Sequence, residues 1–166
     1  MKDSTLVSKI IFRETPLAGD VDDIRRIVAS TNFFNINELD IAVELIEERL
    51  SKGIKSGYYF LFAEFNNKVV GYVCYGPIDG TVNSYDLYWI AVDNEYRALG
   101  IGKELMFKTE QLIKQLGGSR VYVETSSREQ YLPTRKFYLG CDYYIEAQLK
   151  DFYGPNDDKC MFVKVI

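Results

Sequence analysis

The chain contains no histidine, and that absence removes more chemistry than any single residue supplies. A Ser-His-Asp triad, a Cys-His dyad and an HExxH zinc site each need an imidazole, so none can be built here. If the protein is a catalyst, its proton transfers fall to carboxylates, tyrosines, lysines, cysteines or water. Cysteine is scarce as well. Cys74, Cys141 and Cys160 are far apart, form no CxxC pair and cannot make an even-numbered framework, which predicts reduced, buried thiols and no metal site. No apolar run approaches the ~18 residues of a membrane span, and residues 1–11 lack the core and cleavage site of a secretory leader. A cytoplasmic location without a membrane partner is expected. With only 4 prolines and no Pro/Gly/Ser-rich stretch, no linker is visible, and residues 1–166 read as a single domain.

What is present suits a globular protein. The chain has 166 residues, 47% of them hydrophobic and 27% charged, enough to bury one core without staples. A formal net charge of −4 argues against a nucleic-acid partner and suits a cationic amine, though it serves solubility equally well. Residues 4–13 read as a first strand. Asp20 stands where an N-cap would, ahead of Val21, Ile24, Ile27 and Val28 at helical spacing. A second helix is expected over 37–50. Strands over 58–65 and 69–75 are joined by Asn66 and Asn67, residues that tolerate positive φ in a hairpin turn. Residues 86–92 (DLYWIAV) read as a central strand buried on both faces. Ile101, Leu105, Leu112, Ile113 and Leu116 outline a helix stopped by Gly117 and Gly118. A strand over 120–124, a helix over 134–139 and strands over 143–149 and 159–165 complete an α/β, mixed-sheet pattern.

The most informative segment runs from Val92 to Lys103 (VDNEYRALGIGK). A strand ends, a turn passes Gly100 and Gly102, and an amphipathic helix begins. Such a turn presents backbone N–H groups at a helix N-terminus, where the macrodipole also favours anions, and glycines remove the Cβ atoms that would block a phosphate. Arg97 and Lys103 add positive charge. A Walker loop would need glycine at Arg97 and Ser/Thr at Glu104, and a dinucleotide fingerprint would need a small residue at Leu105. What remains is [RQ]-x-x-G-x-[GA], from Arg97 to Gly102. A glycine turn that only packs a helix on a strand is the competing explanation.

Here the sequence resembles the GNAT N-acetyltransferases. DLYWIAVDNEYRALGIGKEL is similar to that family's strand–loop–helix unit, and Phe137 to Tyr143 to its FYxxxGF/Y segment. The resemblance implies a central, largely antiparallel sheet of six to seven strands with a splayed parallel pair, flanked by about four helices. It also implies an acetyl-coenzyme A co-substrate and direct attack of a primary amine on the thioester. Ile90, Ala91 and Val92 would offer main-chain groups to the pantetheine arm, with the Val92 N–H a donor to the thioester oxygen, and amides from Leu99 through Gly100, Ile101, Gly102 and Lys103 would hold the pyrophosphate beside Arg97.

By the same resemblance Tyr138 is the general acid and Glu124 the first candidate for general base, with Asp86 the second. The alternatives are a core tyrosine at Tyr138, and at Glu124 an N-cap or an ion-pair partner of Arg128. Two departures bear on these roles. Asp142 replaces the family's glycine, although Asp can adopt positive φ, and Tyr131 replaces an asparagine common in relatives.

Phe33, Phe34 and Glu38, between the first helices, and Asp86, Tyr153 and Asp158, the last two in the connection KDFYGPNDDK, are candidate acceptor contacts. Ordinary turn chemistry explains the Asp-rich connection equally well. The acceptor is expected to be a small-molecule amine or amino acid. A peptide N-terminus, whose pKa near ~8 leaves it partly neutral, is the alternative, and a non-catalytic acyl-coenzyme A sensor is a reading from another class. A homodimer is compatible with the chain.

Overall fold

The computed structural model describes residues 8–34 and 36–166. In chain order the elements are β1 (Ile11–Arg13), α1 (Asp20–Ser30), α2 (Ile36–Lys52), β2 (Tyr59–Phe65), β3 (Lys68–Pro77), β4 (Ser84–Val92), α3 (Ile101–Gln115), β5 (Arg120–Ser126), α4 (Leu132–Leu139), β6 (Tyr144–Gly154) and β7 (Asp157–Val165). The strands form a 7-stranded mixed sheet in the order β1-β2-β3-β4-β5-β7-β6. Strands β4 and β5 are parallel, whereas β1–β2, β2–β3, β5–β7 and β6–β7 are antiparallel. This is the mixed-sheet architecture expected. The chain divides into two compact units, Met1–Gly76 with Tyr88–Thr109, and Pro77–Leu87 with Glu110–Ile166.

In the first unit, Ile24, Ile27 and Val28 of α1 and Ala42, Val43 and Ile46 of α2 form apolar stripes that pack with Phe60, Phe62, Tyr72 and Cys74 of the sheet. Each of the Ile, Val and Phe side chains contributes about 1.5–3 kcal/mol on burial, so these stripes hold both helices to β2 and β3. Asn66 and Asn67 both take positive φ, 50° and 61°, the twist that a two-residue hairpin turn needs.

Three expectations are corrected here. The strand expected over 4–13 is β1, Ile11–Arg13; residues 4–7 lie outside the described residues. Asp20 is not an N-cap, because the helix begins at Asp20 itself and Gly19 occupies the cap position without a side-chain bond. Its carboxylate is instead held by Arg13 at 2.7 and 2.9 Å and by the Leu17 N–H at 2.6 Å. A two-pronged bond to a guanidinium, with both partners charged, outcompetes a single cap to a backbone N–H. Finally, β4 is not buried on both faces. Tyr85, Leu87 and Ala91 are buried but Tyr88 is 38% exposed, so one side of the strand keeps a wetter face.

In the second unit the parallel ladder pairs Ser84, Tyr85 and Asp86 with Arg120, Val121 and Tyr122. Three pairs are few for strands of nine and seven residues. Gly117, at φ 89°, ends α3 as expected, and the Gly118 N–H donates to the Ile113 carbonyl at 2.8 Å. Gly118 also permits a close approach: a Cβ there would meet Ile113 Cγ2 at 2.3 Å and the Tyr85 ring at 2.7 Å.

Helix α4 starts earlier than its pattern suggested, because Pro133 fits the first turn, where a missing N–H costs nothing. The segment KDFYGPNDDK is a β-hairpin end rather than a free connection. Strand β6 reaches Gly154, β7 begins at Asp157, and Asn156 turns the chain at φ 60°. All three cysteines are buried and free. Among the described residues no helix is long and apolar enough to cross a membrane.

Candidate functional site

In the first unit β4 ends at Val92 and the chain turns over a buried carboxylate. Asp93 is 4% exposed and is held by the Arg26 guanidinium and, at 3.5 Å, by Lys68. Its Oδ1 accepts the Glu95 N–H at 3.1 Å, capping a single 3-10 turn over Asn94–Tyr96. Its own N–H donates to the Val70 carbonyl at 2.8 Å. Arg26 reaches further, to the Val69 carbonyl at 2.6 Å and to Asp23 at 2.7 Å. One buried charge therefore ties the start of the loop, as it leaves β4, to α1 and β3. Sequence reasoning missed Asp93; its place directly after a strand and two residues before an amide it caps was the available sign.

The loop reverses through Ala98 at φ 61° and Gly100 at φ 92°. Left-handed backbone costs an L-residue ~1–2 kcal/mol, so Gly100 relieves a cost that Ala98 bears. Gly102 lies in the first turn of α3, where its missing Cβ opens the helix end rather than turning the chain. The Glu104 N–H donates to the Gly100 carbonyl at 3.1 Å. The amides of Ile101, Gly102 and Lys103 precede that bond and have no acceptor within the helix. With the macrodipole behind them, they form a cradle for an anion. Arg97 lies over the Phe33 ring at 5.2 Å; burial lowers its pKa, yet a guanidinium keeps its charge. Lys103 is exposed.

The main chain just before this loop has a defined polarity. The Asp93 N–H points to Val70 on β3, and a Cβ on Gly71 would meet the Ala91 carbonyl at 3.1 Å. Residues 91 and 93 thus direct their polar groups toward β3. Since alternate residues of a strand point to opposite edges, Ile90 and Val92 direct theirs to the edge away from β3. Nearby, Phe34 packs on Trp89 with ring centroids 4.8 Å apart, and Glu38 is half-buried in the first turn of α2.

In the second unit two carboxylates are brought near one cation. Glu124 on β5 forms an ion pair with Lys159 on β7 and accepts a hydrogen bond from the Tyr153 hydroxyl at 3.4 Å. Lys159 also lies over the Phe152 ring at 4.4 Å. Burial and the Glu124 carboxylate push the Tyr153 phenol up to about 12. Asp86 is half-buried, and its pKa is raised by that burial and then by Glu124, with Lys159 opposing. Lys159 was not anticipated, because only the β5–β7 register, with Ser126 opposite Lys159, carries it to Glu124. The ion pair suggested between Glu124 and Arg128 is corrected: Arg128 pairs with Asp157 at 2.9 Å. Both oxygens of Asp158 are engaged within the hairpin, by the Asp151 N–H at 2.8 Å and Gln148 at 2.6 Å, which holds its pKa down.

Tyr138 occupies an aromatic cluster of the same unit, 5.5 Å from Phe162 and 6.3 Å from Tyr143 by ring centroids. It is 5% exposed, and burial raises its pKa. Asp142 adopts φ 67°, so the turn is kept despite the missing glycine, and the Tyr143 N–H closes onto the Tyr138 carbonyl at 3.1 Å. Tyr131 is buried, with the Arg128 guanidinium 5.7 Å from its ring.

Comparison with known proteins gives consistent results. The model of the acetyltransferase (GNAT) family matches residues 21–143. A solved structure from Desulfovibrio desulfuricans, of a protein assigned to the GNAT family, has 40% sequence identity and a TM-score of 0.93, covering 94% of this chain and 98% of that one. The human protein N-acetyltransferase 8B is 34% identical over 94 residues, 54% of this chain and 41% of that protein. The chain thus spans less than half the length of that relative. An aminoglycoside 6'-N-acetyltransferase complexed with coenzyme A superposes with a TM-score of 0.74 at 17% identity, over 93% of this chain and 96% of that one, a likeness of fold.

Proposed function

The chain belongs to the acetyltransferase (GNAT) family, and on that premise we propose that it is an acetyl-coenzyme A-dependent N-acetyltransferase acting on a primary amine. When bound, acetyl-coenzyme A supplies an activated thioester. The N–H groups of Ile101, Gly102 and Lys103, approached through Leu99 and Gly100, hold its diphosphate, and Arg97 and Lys103 add charge. Ile90 and Val92 offer main-chain groups to the pantetheine arm, and Ala91 spaces them. The Val92 N–H donates to the thioester oxygen, where charge develops during attack, so the bond strengthens in the transition state.

Tyr138 donates a hydrogen bond to the departing thiolate. A thiol titrates near ~8.5 and a free phenol near ~10. A phenol raised further by burial therefore stabilises the thiolate without fully surrendering its proton. Glu124, with Asp86 as the second carboxylate, takes the proton released by the amine. Phe33, Phe34, Glu38, Asp86 and Tyr153 are the acceptor contacts, suited to a small amine or amino acid with an apolar body. Asp158 contributes by bracing the hairpin that carries Tyr153.

The observation that carries this reading is the set of helix-end amides behind a loop turned by Ala98 and Gly100. Calorimetric titration of folded protein with desulfo-coenzyme A tests it. Saturable heat is expected, and no saturation would end the proposal. Free-thiol release across a panel of amines, amino acids and peptides then identifies the acceptor.

A further inference from the structure

On the helical side of the first unit, three hydrogen-bond donors are buried without an acceptor. They are Nη1 of Arg49, the Trp89 indole N–H and the Tyr72 hydroxyl. A buried tyrosine or tryptophan ordinarily finds a partner for its polar tip, and a charged donor left unpaired costs more than a neutral one. The three share one neighbourhood. Tyr72 and Cys74 project from β3 to the same face, opposite Phe62 and Phe60 of β2, and Trp89 packs against the core cluster that contains them. Arg49 follows Ile46 by one turn and so continues the buried stripe of α2. Its guanidinium lies 5.6 Å from the Tyr59 ring, and its charge is felt at the Cys74 thiol.

No acid neutralises Arg49 among the described residues. Glu48 beside it is taken by Lys52 at 2.6 Å, and Glu44 and Glu47 are exposed. The Tyr59 ring attracts the cation but cannot accept its in-plane N–H bonds. A guanidinium keeps its charge at any working pH. Arginine and tryptophan side chains only donate, whereas an ionised carboxylate only accepts and meets the arginine fork with two parallel bonds. Apolar surface adjoins these donors, since Phe34 packs on Trp89 and Tyr58 joins the same cluster. Arg49 and Trp89 are half-buried, so a small anion can come to them from solvent.

We propose that the acetyl acceptor is an amino carboxylic acid whose carboxylate is bound by Arg49, with Trp89 and Tyr72 donating to acceptor atoms of the same molecule. The acetyltransferase reading supplies the role of that molecule, but the anion site stands on its own observations. A simple amine would leave Arg49 unpaired, and a peptide N-terminus carries an amide where the carboxylate would be. The site therefore selects against both.

Trp89 is the chain's single tryptophan, so intrinsic fluorescence reports on this site without turnover. The probes are N-acetylated α- and ω-amino acids free of tryptophan, and their carboxamides, titrated with and without coenzyme A. Calorimetry of the same titrations covers a spectroscopically silent complex. Saturable binding of acids is expected, with the matching carboxamides weaker about tenfold or more. Arg49→Gln should erase that preference without lowering the melting temperature, because an unpaired buried charge contributes no stability. Tyr72→Phe, which deletes only the unpaired hydroxyl, should weaken acid binding while the empty protein melts no lower. Equal affinity for acids and carboxamides would overturn the proposal, as would a preference that survives Arg49→Gln, or no binding up to about 10 mM. Free-thiol release with amino acids and their amides separates the two readings. Acids that bind through Arg49 but release no thiol would uphold the site and overturn the acetyltransferase reading. Amines acetylated regardless of a carboxylate would do the reverse.

Discussion

The ammonium of Lys159 sits on the Glu124 carboxylate and also lies over the Phe152 ring, 4.4 Å from its centre. One cation is thus shared between a candidate base and an aromatic side chain of the last hairpin. Glu124 is about half exposed, at 48%, and Lys159 only 15%. The pair is therefore anchored from the lysine side.

This arrangement separates activity from stability. A partly exposed pair contributes at most ~1 kcal/mol, so Glu124→Gln should shift the melting temperature little. If Glu124 takes the amine proton, the same change should lower kcat about a hundredfold or more. Steady-state thiol release and thermal melts on one preparation compare the two. A stable variant with undiminished turnover would pass the role to Asp86.

Asp86 makes the opposite kind of prediction. Its pKa is raised in the folded protein, first by burial and then by Glu124. Below the ordinary aspartate pKa both states are protonated and the group is silent. As pH rises through the ordinary value toward the raised one, the unfolded chain ionises first and folding loses ground. Above the raised value the penalty is complete. Asp86→Asn should therefore melt higher than the wild type at pH 7, and that gain should vanish near pH 3. Melts across that range would show it; equal melting temperatures at neutral pH would contradict it.

Tyr138→Phe distinguishes a catalyst from a sensor. Loss of one hydrogen bond to a developing thiolate should cost about 10–100-fold in kcat, with coenzyme A affinity unchanged. A sensor would keep its affinity with no turnover to lose. Because burial raises this phenol, the basic limb of the rate profile should be the same in wild type and variant wherever activity is measurable.

The loop offers two substitutions with different signatures. Asp93→Ala removes the acceptor on which Arg26 and Lys68 converge. Stability should fall by about 1–3 kcal/mol, because Arg26 and the Glu95 N–H lose their shared acceptor. Gly100→Ala should cost only ~1–2 kcal/mol, since its φ of 92° is unfavourable for an L-residue, yet it should weaken coenzyme A binding at least as much as Asp93→Ala. Chemical denaturation paired with calorimetry gives both quantities.

The pattern of residues carried much of what depends on near neighbours along the chain. Ile24, Ile27 and Val28 announce a helix because 3.6-residue spacing places them on one stripe. Asn66 and Asn67 announce a turn because they accept positive φ, and Asp142 could be expected to keep its turn for the same reason. Arg97, Gly100 and Gly102 mark the loop proposed to hold an anion, because backbone access there depends on local side-chain size. Asp20 shows where such reasoning stops. Its type predicted a cap, but Arg13 of β1 reaches it and provides a stronger bond. The ion-pair partners of Asp93 and Lys159 and the register of β6 against β7 were decided only by folding. Each rests on a partner brought close by strand pairing or helix packing, from Lys164 meeting Glu110 at 2.8 Å to Lys159 meeting Glu124. Spacing along a chain encodes which face a residue occupies, whereas the charge that face meets depends on which distant strand lies opposite.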